Sequence, residues 1–131
     1  MENTHYKENK IYYHDTDAGG VVYYANYLKH LEEGRSEFML TRGINTVKYA
    51  SEGFIFPVVH LEVDYKSPAR YGDVIRVYTR SEKVGNASVS FSQEIKIGDR
   101  TLLEARIVWA CVGPDMKPKR VPEAVRKALT F

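Results

Sequence analysis

The 131-residue chain is predicted to be a single α+β domain spanning residues 1–131, an antiparallel sheet of about five strands around one long helix. Three observations carry this. One long stretch repeats apolar residues at the three-and-four spacing of a helix, several later stretches alternate with period two, and short glycine turns separate the alternating segments.

Taken in order, a first strand is expected from about Tyr6 to Tyr13, followed by a glycine-containing loop. From about Asn26 to Arg42, Tyr27, Leu28, Leu31, Gly34 and Phe38 share one face, while Lys29, Glu32, Glu33, Ser36 and Glu37 are polar. This is an amphipathic helix closed by Gly43. Gly34 costs such a helix about 1 kcal/mol relative to Ala, so its place on the apolar side predicts close contact with a flat neighbour, such as a sheet.

Beyond Phe54 the period changes. Val59, Leu61, Val63 and Tyr65 alternate with His60, Glu62 and Asp64, predicting a strand with one buried face. Strands follow at about Asp73–Val84, at Ser88–Ile97 and at about Thr101–Val112, joined by hairpin turns at Gly85-Asn86 and Gly98-Asp99. The last strand becomes apolar on both faces toward its end, which predicts burial there at a subunit contact. A short helix is expected at Glu123–Leu129.

Charge and cysteine usage narrow the function. With 19 basic and 17 acidic side chains the net charge is +2, far from the basic excess of nucleic-acid binders, so no nucleic-acid partner is expected. Cys111 is the only cysteine, which rules out an intramolecular disulfide or a cysteine-built zinc site. Its apolar neighbours predict a packed, inert thiol. The stretch Met1–His5 is polar and no segment reaches the length of a transmembrane span, so a cytoplasmic protein is expected. His14 and Asp17 lack a third ligand at a helical spacing, so no metal is expected. His30, on the polar helix face, and His60, on a strand, are expected to be solvated or hydrogen-bonded. No Gly-x-Ser-x-Gly elbow, Walker motif or dinucleotide glycine motif is present.

The run from Tyr13 to Tyr27, YHDTDAGGVVYYANY, holds the chemistry. It places two carboxylates, a glycine loop and a helix start together. Free N–H groups and the positive dipole end at a helix start suit a developing oxyanion. Glycines let a carbonyl approach the backbone, and a carboxylate held nearby can attack or activate water. Asp15 and Asp17 point the same way if the stretch is extended and apart if it bends. On residue types alone, capping of the helix start is the simpler role for Asp17.

The segment Asp15 to Tyr23, followed by Asn26-Tyr27-Leu28, resembles the hotdog-fold acyl-CoA thioesterases of the 4-hydroxybenzoyl-CoA thioesterase family, in particular the branch associated with the bacterial Tol-Pal system. Glu32, Arg35-Ser36-Glu37, Tyr65 to Arg70 before Asp73, and Arg120-Val121-Pro122 extend the likeness over nearly the whole chain. The resemblance implies hydrolysis of acyl-CoA to a free acid and coenzyme A. No cofactor is implied, coenzyme A being part of the substrate.

By the same resemblance Asp17 is the nucleophile or general base, the Tyr24 backbone N–H is the oxyanion donor, and Gly20 belongs to the catalytic loop. Asp15 organises that loop. Val22, Tyr23, Lys66 and Arg70 are the implied substrate-binding residues, and Arg80, Lys83 and Lys117–Arg120 are further candidate cations for the coenzyme A phosphates. A site between subunits is implied, hence a homodimer or homotetramer. Many relatives of the Tol-Pal branch carry histidine where this chain has Tyr24, which leaves short aliphatic and aromatic acyl groups both open. The alternatives are a noncatalytic hotdog protein that binds acyl-CoA or acyl-carrier protein, the latter also a candidate partner of an enzyme, and a hydratase or dehydratase of the same fold.

Overall fold

The structure is a computed structural model and describes residues 4–130. Five strands, β1 (Thr4–Lys10), β2 (Val58–Tyr65), β3 (Val74–Val84), β4 (Ser88–Ile97) and β5 (Arg100–Ala110), form one antiparallel sheet in the order β1-β3-β4-β5-β2. Helix α1 (Tyr27–Thr41) lies against it, and α2 (Thr46–Ser51) and α3 (Glu123–Leu129) are short. This is the hotdog arrangement that the resemblance implies.

Alternation builds the sheet. On β3 the side chains of Ile75, Val77, Thr79 and Ser81 turn inward, and on β4 those of Val89, Phe91, Gln93 and Ile95 do so. Phe91 meets Phe38 of α1 edge-on at 6.3 Å and Trp109 at 4.7 Å, in the spacing and tilt that aromatic pairs favour. Gly98, at φ +56°, turns β4 into β5 in two residues.

Gly34 sits at a tight approach of helix to sheet. A Cβ built there would lie 2.6 Å from Val77 Cγ1. Beneath it Gln93 Nε2 donates to the Leu31 carbonyl and to Thr79 Oγ1, and Gln93 Oε1 accepts from Arg35. Arg35 is thereby buried under the helix, and burial pushes its pKa down to about 10, against the opposing pull of Glu32.

Several expectations need correction. The first strand ends at Lys10, because the chain turns into a 3-10 helix at Tyr13–Asp15. Helix α2 was not anticipated; Asn45 caps it by accepting from the N–H groups of Val47 and Lys48. β2 alternates as expected, yet its apolar face is not buried: Val59 is 61% and Leu61 40% exposed, because α1 packs over β1 and β3 at the far end of the sheet and only Val63 of β2 packs on the core. The apolar end of β5 runs on into a segment that is paired within the chain. There Val112 bridges to Ile55 on one side and Pro118 on the other. Cys111, just past β5, is buried, and burial raises its pKa as expected for an unreactive thiol.

Candidate active site

The loop before α1 is a small hairpin. Thr16 bridges to Val22, Asp17 N–H donates to the Val21 carbonyl at 2.9 Å, and Gly20 N–H donates back to the Asp17 carbonyl at 3.0 Å. Gly20 adopts φ +80°, a left-handed conformation that a side chain would strain, so its backbone closes the turn. Asp17 is exposed at the neck of this hairpin, with Oδ1 accepting from Gly19 N–H at 2.8 Å.

Asp15 points the other way. Its carboxylate is buried, taking the Tyr12 N–H at 2.9 Å and lying 3.1 Å from His30 Nε2. Its carbonyl accepts from Tyr23 N–H and from Asn26 Nδ2. The bend after the 3-10 helix thus separates the two carboxylates, leaving one structural in its contacts and one facing solvent. His30 is therefore hydrogen-bonded rather than solvated. It is 8% exposed and sits inside, although the helical spacing puts it beside polar residues.

A second 3-10 turn, Tyr24–Asn26, leads into α1. Asn26 N–H closes on the Tyr23 carbonyl at 2.8 Å, and no side chain caps the turn, so Tyr24 N–H, its first donor, takes no part in the bonding within the turn. The Tyr23 phenol has a raised pKa, caused first by the neighbouring Tyr24, then by partial burial and least by the Asp17 charge.

Beside the turn is a cleft of about 320 Å³ lined by Val22, Tyr24, Tyr27, Tyr65, Lys66, Ser67 and Pro68. Of the expected binding residues, Val22 and Lys66 line it. Arg70 stands next to the loop through the Val21–Arg70 bridge, with its N–H on Asp73, and Tyr23 flanks Tyr24 with ring centroids 4.9 Å apart. Lys66 lies 3.7 Å from Glu104. Lys119 is engaged elsewhere, bonding to the Gly53 carbonyl and lying over the Phe54 ring. Arg120 bonds to Asn86. Among the described residues no cluster of three or more metal-ligating side chains occurs, and no helix is long and apolar enough to cross a membrane.

Sequence reasoning missed Tyr65 and His30 as parts of this region. Tyr65 reads from the sequence as a strand-face residue and as the start of the Tyr65–Arg70 likeness, and no spacing rule links it to Tyr24, 41 residues away. His30 follows Tyr27 by three positions, a spacing that could have placed it toward the loop.

An exposed carboxylate in the loop that leads to an uncapped helical turn, with that turn lining a cleft, is a set of groups suited to acyl transfer. The family model of the thioesterase superfamily matches residues 19–108, and the chain belongs to that superfamily. More specifically, it is 36% identical over 118 residues to the acyl-CoA thioester hydrolase YbgC of Escherichia coli O157:H7, covering 88% of each chain. It is also 36% identical over 121 residues to the acyl-CoA thioesterase YbgC of Haemophilus influenzae, covering 91% of this chain and 89% of that one. Among solved structures, a probable thioesterase from Bartonella henselae superposes with a TM-score of 0.87 at 35% identity, covering 91% of this chain and 99% of that chain. The 1,4-dihydroxy-2-naphthoyl-CoA thioesterase Slr0204 from Synechocystis superposes with a TM-score of 0.90 at 25% identity, covering 96% and 95%.

Proposed function

We propose that the protein hydrolyses acyl-CoA thioesters to a carboxylic acid and free coenzyme A, without metal or redox cofactor. The observation that supports this reading is that one short loop carries both an exposed carboxylate, Asp17, and a 3-10 turn without a side-chain cap, beginning at Tyr24. In this reading the thioester oxygen rests on Tyr24 N–H, which stabilises the negative charge that develops as the carbonyl carbon becomes tetrahedral. Asp17 attacks that carbon, forming as the thiolate departs a mixed anhydride that water then hydrolyses to the acid and free Asp17, or it takes the proton of a water that attacks the carbon directly. On either route the carbon–sulfur bond breaks, and the coenzyme A thiolate leaves and is protonated. Gly20 shapes the hairpin that presents Asp17. Val22, Tyr23 and Lys66 contact the acyl–pantetheine region, and Arg70 serves the phosphates.

In this reading the protein acts in the cytoplasm and assembles as a homodimer or homotetramer; the exposed apolar edge of β2 supports the assembly. A specific contact favours one rival: Asp17 already accepts the Gly19 N–H, as a loop-capping residue does, which suits a noncatalytic binder of acyl-CoA or acyl-carrier protein.

The test is thiol release from short-chain, long-chain and aromatic acyl-CoAs by the unaltered protein and by Asp17→Asn. Turnover of at least one class, reduced about a hundredfold to ten-thousandfold in the variant, supports the assignment. Equal rates remove Asp17 from the mechanism, and tight binding without turnover selects the noncatalytic binder.

A further inference from the structure

We propose that Tyr65 is a positioning residue of the active site, a rigid strut from the sheet that sets the direction of the oxyanion-binding N–H. The inference rests on the thioesterase reading above. Tyr65 Oη donates to the Tyr24 carbonyl at 2.9 Å, across 41 residues of sequence. Its ring stands edge-on to that of Tyr24, centroids 6.3 Å apart and planes at 89°, and meets Tyr27 at 5.8 Å.

The strut is anchored at its base. Tyr65 ends β2 paired with Leu103 of β5, and the next two residues, Lys66 and Ser67, both donate to the Leu102 carbonyl. Leu102 and Leu103 are fully buried, so this end of the sheet is firmly held. The same segment grips the loop twice more: Ala69 N–H donates to Tyr27 Oη, and Val22 N–H donates to the Ala69 carbonyl.

The turn needs such a hold. A 3-10 turn of three residues is held by few bonds, here Asn26 N–H on the Tyr23 carbonyl and Tyr27 N–H on the Ala25 carbonyl, and it lacks a side-chain cap. The first of these bonds fixes the peptide plane that contains Tyr24 N–H. The Tyr65 hydroxyl fixes the next plane, that of the Tyr24 carbonyl and Ala25 N–H. With both planes flanking the Tyr24 Cα held, the two N–H groups at the head of the turn keep one orientation without an acceptor present, which is the preorganisation an oxyanion site requires.

The mechanical and catalytic parts are tested separately with Tyr65→Phe, which keeps the ring and removes only the hydroxyl. NMR of the uniformly labelled protein reads the strut. The Tyr24 carbonyl carbon and Ala25 amide nitrogen share one peptide group, and both resonances are expected to shift, with Asn26 N–H exchanging faster. Unmoved resonances overturn the proposal whether or not any acyl-CoA is turned over.

Kinetics on the best substrate read the role. A misdirected oxyanion donor is expected to lower kcat roughly tenfold to a hundredfold with KM little changed. Shifted resonances with kcat unchanged, or a loss seen only in KM, overturn the positioning role. Absence of turnover by the unaltered protein instead overturns the thioesterase reading, leaving the resonances to decide the strut.

Discussion

His30 Nε2 and Asp15 Oδ1 lie 3.1 Å apart beneath the hairpin, in a pair that is almost wholly shielded from water. Asn9 Nδ2 donates to His30 Nδ1 at 2.8 Å, so Nε2 carries the proton toward Asp15, and Asn9 reaches on to Glu33. Through Asp15 this chain of bonds joins β1 to α1, to the backbone at Tyr12 and Tyr23, and to the Asn26 side chain.

Replacement of His30 by Phe is therefore expected to destabilise the fold by about 3 kcal/mol, since a buried carboxylate oxygen loses its donor. His30→Gln retains a donor and is expected to lose less. Urea unfolding of both variants checks this; a Phe variant as stable as the unaltered protein would show that water reaches Asp15.

Gly34→Ala sets two effects against each other. Helix propensity favours Ala by about 1 kcal/mol. The new methyl, however, would lie 2.6 Å from Val77 Cγ1, 3.0 Å from Thr79 Oγ1 and 3.1 Å from Gln93 Nε2. Val77 is β-branched and fully buried on an inner strand, so it has little room to yield. Overpacking of this kind costs about 1–3 kcal/mol, so a net loss of stability is expected, read as a lower Tm. A higher Tm would mean that α1 can lift from the sheet.

The Gly34 contact was legible in the sequence because it violates a local rule: a poor helix former on the face that should pack. The strands were legible for the converse reason, that period-two alternation is imposed by the same pleat that the sheet later shows. Their neighbours were not. The order β1-β3-β4-β5-β2 leaves β2 at the far end of the sheet from the strands that α1 covers, so the alternation of Val59 and Leu61 marked a face that this chain does not cover. At the site, the Asp-Thr-Asp triplet could not show that a 3-10 bend turns Asp15 inward and Asp17 outward. Tyr65 and Tyr24 meet through tertiary geometry alone, which no spacing encodes.

Tyr27 supplies a prediction in pH. Its phenol is buried, and burial raises its pKa above the usual value of about 10, with the Ala69 N–H pulling the opposite way. The folded state therefore holds this proton more tightly than the unfolded chain. Its contribution to stability is complete below the unfolded pKa and is lost as pH rises through the folded value. Tyr27→Phe removes the titration but strands the buried Ala69 N–H, a cost of about 1–3 kcal/mol at neutral pH. The stability gap between the two proteins is expected to narrow above about pH 10, as followed by denaturant melts at each pH. A constant gap would remove Tyr27 from the alkaline transition.

The edge of β2 yields the last prediction. Val58, Val59, Leu61 and Tyr65 are between 40% and 61% exposed on a strand whose outer backbone edge has no neighbour among the described residues. Isolated edges of this kind are normally guarded by charge or covered, and here the charges of Glu62 and Asp64 alternate with the apolar side chains instead of replacing them. Pairing with a second copy across a two-fold axis would cover both the edge and the apolar face. Val59→Lys is expected to reduce the mass in light scattering from a multiple of 15.0 kDa to a single 15.0 kDa chain. Because Val59 touches little within its own chain, the substitution is expected to change the intrinsic stability of the protomer by no more than about 0.5 kcal/mol. A variant that stays assembled at the same mass would place the subunit contact on another surface and leave the β2 edge exposed in the assembly.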